Sequence, residues 1–383
     1  MRIALLTYSS KPRGGVVHTL ALAEALAALG QDVTVWTLGR GGDAGFFRAV
    51  DPRVCQRIVP FPDVEGEAVG PRILRSIEAL RDAFDPTGYD IVHAQDCISA
   101  NAVEDCIRTV HHIDHFTTPE LAACHERAIV RPRAHVCVSA AVAAELREGW
   151  GIEAAVIPNG VDAARFALAA GDAPAAAAAR RGWKDRLGRY VLTVGGIEPR
   201  KGSLELLEAY ALLRKRRPDL ALAIAGGETL FDYRDYRHRW DERARELEVE
   251  PVVLGPVPDD DLPGLVAAAD AFAFPSIKEG FGLAAMEALA AGVPTVVGDL
   301  PVLREVFGAA VDYADDPHAL ADRLDDALSG RDRIEAGRAL SAAYTWEAAA
   351  QSHLDLYRGL CLAWLDVIED RTRRSGTARR VVP

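Results

Sequence analysis

Short apolar runs rich in Val, Ile and Leu alternate with helical stretches along almost the whole chain, and this alternation restricts the fold to parallel βα units. RIALLTYS at 2–9 reads as a strand, KPRGG as a loop, VVHTLALAEALAALG as a helix stopped at Gly30, and QDVTVWTL as the next strand. Parallel neighbours need such a crossover, so this is one βαβ unit. Further β-rich runs follow at DIVHAQD, RTVHHID, AHVCVSA and AAVIPNG, with the helix AAVAAELREGW between the last two. A second series begins at YVLTVGG. It continues through SLELLEAYALLRKRRP, LALAIAGG, a charged helix from Tyr233 to Leu247, PVVLGPV, DLPGLVAAAD, AFAFPS, LAAMEALAAG and VPTVVGD. Two successive doubly wound sheets are the expectation, because 383 residues exceed what one hydrophobic core usually serves.

The expected division is a first domain at 1–165, a linker or insertion at 166–188, a second domain at 189–344, a helix at 345–370 and a basic tail at 371–383. The second segment loses periodicity and carries Ala, Gly, Asp and Pro, which suits a linker; a short Ala-rich helix fits it equally well. Ala349, Leu356, Leu360 and Leu365 lie at near-helical spacing and give the late helix an apolar stripe. The tail RTRRSGTARRVVP has no core-forming pattern and reads as disordered.

Composition excludes several classes. A net charge of -12 argues against nucleic acid as a general partner, since phosphate binding needs a basic surface. No apolar run approaches the roughly 20 residues that span a bilayer, and the N-terminal run is too short for a signal sequence, so a cytoplasmic protein is expected. Arg371, Arg373, Arg374, Arg379 and Arg380 could make weak peripheral contact with anionic lipid, although such tails are usually just solvated. The six cysteines contain no C-x-x-C pair, so reduced, mostly buried thiols are expected.

In open α/β sheets ligands collect at the carboxyl ends of strands, where backbone N–H groups at helix starts point outward. Gly14 and Gly15 follow the first strand; they allow close approach of a phosphate or simply a tight turn with positive φ. GGIEPRKG places Arg200 and Lys201 before a helix, where they suit a diphosphate; in isolation such a pair is more often solvated surface charge. In FPSIKEGFGLAAMEALAAG, Gly280, Phe281, Gly282 and Leu283 turn from a buried strand into a helix with their amides free to face an anion. Glu287 lies about one turn beyond Leu283, roughly 6 Å along the axis, so its carboxylate reaches a different part of the same ligand. Otherwise Glu279 is a helix-start acid favoured by the macrodipole and Glu287 a surface residue.

RTVHHIDH, from Arg108 to His115, invites a metal, yet adjacent His111 and His112 face opposite sides of a strand and no cysteine pair has structural-zinc spacing. No metal is expected. Asp259, Asp260 and Asp261 precede a helix and read as its cap. Gly39 to Ala44 matches G-x-G-x-x-A but follows the second strand, so it is a weak dinucleotide signal.

Taken together, GG after the first strand, VIPNGVD at 156–162, VG…KG at 194–202 and E-x7-E at 279–287 resemble family 4 of the retaining glycosyltransferases, over nearly the whole chain. The resemblance implies the GT-B fold: two doubly wound Rossmann-like domains facing across a cleft, the acceptor mainly on the first, the donor nucleotide mainly on the second, and the last helix crossing back. It implies that Gly15 contacts the donor diphosphate, that Arg200 or Lys201 neutralises it, that Glu279 holds the hydroxyls of the transferred sugar and Glu287 the ribose. His111, in the T-x-H position, would sit beside sugar and acceptor. Gly196 departs from the family's usual VGR, which leaves Lys201 more of the charge and the share of Arg200 open.

The activity so implied is transfer of a hexose, with retained configuration, from a nucleoside-diphosphate sugar to an unidentified hydroxyl acceptor, without metal or cofactor. The alternatives are a GT-B epimerase, or a non-catalytic or hydrolytic protein that binds the sugar nucleotide.

Overall fold

The computed structural model describes residues 1–114, 119–227, 233–330 and 332–377, with positions 363–377 as backbone only. The first sheet comprises β1 (Arg2–Leu6), β2 (Asp32–Arg40), β3 (Val54–Phe61), β4 (Ile91–Ala94), β5 (Ile107–Val110), β6 (Ala134–Cys137) and β7 (Ala155–Val156). The second holds β8 (Arg189–Val194), β9 (Leu220–Ala225), β10 (Val252–Gly255), β11 (Ala271–Phe274), β12 (Thr295–Gly298) and β13 (Asp312–Ala314). Every pairing is parallel, in the orders β3-β2-β1-β4-β5-β6-β7 and β10-β9-β8-β11-β12-β13. Both sheets therefore reverse their winding beside their own first strand, between β1 and β4 and between β8 and β11. Those two switch points open crevices at the carboxyl ends of the strands.

β1 is apolar on both faces because both are covered: Ile3 and Leu5 pack under the helix Gly14–Ala28, while Ala4 and Leu6 join Leu38, Phe61 and Val92 on the other side. β3 escapes the sequence reading. It is an edge strand with mostly exposed side chains and a proline near its end, so it carries little apolar signal.

Of the two readings of 166–188 the helical one holds: Ala163–Ala170 is followed by Pro174–Leu187, and Phe166 and Leu187 are buried in the core of the second domain. Two other expectations need correction. The late helix runs Trp346–Thr377, so residues 371–377 are helical backbone rather than disordered, and 378–383 lie outside the described residues, as does His115. Asp261 sits at the helix start at Leu262 without a side-chain cap, and Asp259 instead pairs with Arg165 at 2.8 Å.

The chain crosses between domains twice, at 157–162 and at 344–346. The last helix packs Ala349, Ala350, Leu354 and Tyr357 into the first domain's core. A further bridge caps a helix from the opposite domain: the Glu305 carboxylate accepts from the Ala140 and Ala141 amides at 2.7 and 2.8 Å, the first-turn donors of Ala140–Trp150 that its own cap, Ser139 on Val142, does not serve. Replacing a helix cap costs about 1 kcal/mol. Glu305→Ala is thus expected to raise the population of open, more extended molecules about fivefold, read as an increased radius of gyration by small-angle scattering. An unchanged radius would mean that this contact does not hold the domains together.

Candidate active site

The two crevices face each other and merge into a cleft of about 2770 Å³. A single small-ligand pocket occupies roughly 300–1,000 Å³, so there is room for two substrates.

On the second domain, the loops after β8 and β11 lock together. Gly202 has φ 63°, and a methyl there would overlap the carbonyl of Pro275; the Ile277 amide donates to the Arg200 carbonyl at 3.0 Å. This close approach brings Arg200 and Lys201 onto Glu279, residues 78 or more positions away. Arg200 Nη1 donates to Glu279 Oε1 at 2.9 Å, Ser276 Oγ at 3.1 Å, and Lys201 Nζ completes the set. Arg200 also reaches Glu198 at 3.2 Å and the Lys278 carbonyl at 3.3 Å, and Lys201 lies over the Phe274 ring at 4.7 Å. Arg200 and Lys201 are therefore built into the site, not solvated surface charges.

Burial opposes a charge on Glu279, but Lys201, Arg200 and their hydrogen bonds outweigh it and push its carboxyl down to about 2. Burial also draws the Lys201 ammonium below its ordinary range, with Glu279 opposing.

Gly282, at φ 98°, turns the chain into the helix Leu283–Ala290 with Phe307 against its Cα, a conformation glycine adopts without strain. The amides of Leu283 and Ala284 in the first turn make no hydrogen bond to a described acceptor. Phe281 lines the cleft, and its buried ring packs edge-to-face on Tyr344 with centroids 5.4 Å apart. Glu279 precedes the helix and is not its helix-start acid. Glu287, one turn into the helix, lines the cleft and accepts no hydrogen bond from any described residue. Burial pushes its carboxyl up to about 8; Arg165 opposes the rise, and Asp259 and Asp162 add to it. Two glutamates eight positions apart are thus driven in opposite directions by their surroundings.

On the first domain, Gly14 and Gly15 are the opening residues of a helix and neither has positive φ, so a tight turn is not their purpose. A methyl on Gly15 would stand 3.6 Å from Nε2 and Cδ2 of His111, in the space between the helix start and that ring. His111 lies just past the end of β5. Its ring bonds the Gln95 backbone, leaving Nε2 buried without a partner among the described residues, and burial pushes its pKa down to about 3. The ring is neutral, with Nε2 free to accept a proton or hydrogen bond. The domains touch here: a methyl on Gly280 would overlap the His111 carbonyl oxygen. His112 instead turns to Asp114 at 3.1 Å.

Sequence reasoning passed over Glu198, which lies inside the GGIEPRKG loop but carries no spacing signal, and Gln95, whose buried side-chain amide bonds no described residue and lines the same cleft. Buried unsatisfied amides are rare, but rarity of this kind is visible only in three dimensions.

Comparison with known proteins agrees with this geometry. Residues 12–165 match the family described as Glycosyltransferase Family 4 and residues 182–344 that described as Glycosyl transferases group 1. The phosphatidyl-myo-inositol mannosyltransferase of Mycobacterium tuberculosis is 30% identical, over 93% of this chain and 96% of its own length. Among solved structures, sucrose-phosphate synthase from Thermosynechococcus elongatus superimposes with a TM-score of 0.75 at 22% identity, covering 94% of this chain and 99% of that one. Anabaena HepE in complex with UDP and glucose gives 0.70 at 18%, covering 93% and 99%. Both show the same two-domain GT-B architecture. No helix among the described residues is long and apolar enough to cross a membrane. With both halves matched in order and a relative aligned end to end, the chain belongs to glycosyltransferase family 4.

Proposed function

We propose that this glycosyltransferase moves a hexose, with retention at the anomeric carbon, from a nucleoside-diphosphate sugar to a hydroxyl acceptor lying against the first domain. The observation that carries this is the cluster of Lys201, Arg200 and Glu279 on one wall of the cleft, opposite the unpartnered Nε2 of His111. The acceptor oxygen bonds to the anomeric carbon as the bond from that carbon to the diphosphate oxygen breaks, and the acceptor's proton passes to the departing diphosphate. Charge grows on the leaving group, where Lys201, Arg200 and the free amides of the helix start can meet it without a metal ion or a cofactor. Glu279, held ionised, accepts from hydroxyls of the sugar, and neutral His111 accepts from a hydroxyl at Nε2. Two of the similar proteins support a hexose: one carries "mannosyltransferase" in its name, and the other was solved with UDP and glucose.

The test is a panel of nucleotide sugars, with UDP-glucose and GDP-mannose among them. A donor that raises the melting temperature by several degrees at saturation, and is consumed only when an acceptor is present, supports transfer. Consumption without an acceptor would favour a hydrolase, and a shift without consumption a sensor.

Glu287 makes a pH-dependent prediction. Its folded pKa of about 8 lies above the ordinary 4.5, so in the free protein its contribution to stability is full below about 4.5, falls as pH rises from there to about 8, and changes no further above. Ribose hydroxyls hydrogen-bond best to the carboxylate, so binding expels the proton. The affinity for UDP or GDP is then expected to rise between about pH 6 and pH 8, by at most about tenfold per unit, and to level off above. Glu287→Gln should abolish the slope in calorimetry; a flat wild-type profile would remove Glu287 from the ribose.

A further inference from the structure

His18, in the helix Gly14–Ala28, is 1% exposed and stands at the meeting point of three parts of the molecule. Its ring lies edge-to-face with His111, centroids 4.8 Å apart at 81°. On another side Nδ1 bonds Asn159 Oδ1 at 2.8 Å, and Asn159 lies in the first interdomain crossing. Trp346, in the second crossing, packs on the same ring at 5.4 Å and 75°, with His353 one layer further at 6.4 Å.

The two crossings are joined to each other. The Val161 amide donates to the Tyr344 carbonyl at 2.8 Å, and Gly160 lies so close to Trp346 that a methyl would overlap its backbone. A rotation of one domain against the other must turn both segments together. His18 touches both and also touches His111.

The bonding pattern fixes the ring. An amide oxygen only accepts, so Nδ1 of His18 donates, and Nε2 is left buried without a partner among the described residues. Burial holds its pKa well below the ordinary value, with His111 and His353 adding to the depression. A neutral imidazole with one hydrogen bond and two perpendicular ring contacts packs as a rigid wedge and carries no proton.

We propose that His18 is a positioning residue that sets the orientation of the His111 ring by the state of the interdomain crossings. Closure moves Asn159 and Trp346, they turn His18, and His18 presents Nε2 of His111 to the substrate only in the closed geometry. The inference rests on the placing of His111 beside the substrates under the proposed function.

The test compares His18→Phe, which keeps a ring but loses the tether, with Asn159→Ala, which loses the tether without touching His111. With UDP-glucose and GDP-mannose as donors, each change is expected to lower kcat about tenfold to a hundredfold, as misplacement of a reacting group does. The KM for the donor should move less than about twofold, and the double variant should be no worse than either single one. In a His111→Ala background neither change should cost anything further. A second reading needs no turnover: the ring nitrogen resonances of His111 should shift in Asn159→Ala, and in His18→Phe the added Asn159→Ala should leave them where they are.

Wild-type kcat in both variants, or His111 resonances unmoved by Asn159→Ala, overturns the proposal. So does an equal loss with and without His111, which would mark His18 as a structural residue. Full activity in His111→Ala alone would instead strike the role given to His111, leaving the resonance measurement to judge the coupling.

Discussion

Lys201→Ala is expected to lower kcat by about 10²–10³ while the protein stays folded. Its ammonium and the Arg200 guanidinium are both held on Glu279, at the wall of the cleft where the proposed donor diphosphate would lie, and Gly196 offers no side-chain charge there. Arg200 is less free to help, since it is already shared between Glu279, Glu198 and the Lys278 carbonyl. Under the proposed function, Lys201 therefore carries most of the charge offered to the leaving group. The fold survives because Glu279 keeps Arg200 and Ser276, although its carboxyl should rise from about 2 as the largest attractive partner disappears. That rise has a sign. A depressed carboxyl lends stability present above its unfolded pKa of about 4.5 and lost as pH falls towards 2, so the variant should unfold at a higher pH in acid. Turnover and an acid unfolding curve on the same preparation decide it; near-normal kcat would take Lys201 out of the diphosphate site.

Gly280→Ala should be nearly as damaging, by a different route. The added methyl would overlap the backbone carbonyl of His111 and stand 3.2 Å from Val138 Cγ2, and neither partner is the far end of a flexible side chain. The loop after β11 must withdraw, or the end of β5 must move, and a shift of that order misaligns the facing walls by enough to cost about 10² in rate. The helix start and Lys201 lie in one domain, so affinity for UDP or GDP should change far less. Calorimetry with kinetics separates the two. Wild-type kcat in this variant would mean that the domains do not close onto this contact during turnover.

Most of the fold was legible because buried parallel strands and their crossover helices carry strong periodic signals. β1 and β8 are near-continuous apolar runs that only a two-sided core explains. The losses occurred where the signal is thin. β3 is exposed at an edge, and the helices between 163 and 187 are anchored by little more than Phe166 and Leu187 among alanines and charges.

The candidate site divides in the same way. Spacing within one loop and helix was enough to pick out Glu279, Gly280, Gly282 and Glu287, because strand, turn and helix start are local structures. Local sequence likewise placed Arg200 and Lys201 before a helix. It could not pair them with Glu279, 78 residues on, nor reveal that Glu198 competes for Arg200.

Nothing along the chain linked His18 to Asn159 and Trp346, which lie 141 and 328 positions away. The sequence by itself therefore determined the two doubly wound βα sheets and the loops that come to line the cleft. The tertiary structure decided which charges neutralise each other, why one glutamate carboxyl is pushed down and the other up, and how His18 comes to touch His111, Asn159 and Trp346 at once. The reason is physical: periodicity and turn chemistry act over a few residues, whereas desolvation and Coulomb interactions depend on distance through space, which only the closed fold sets.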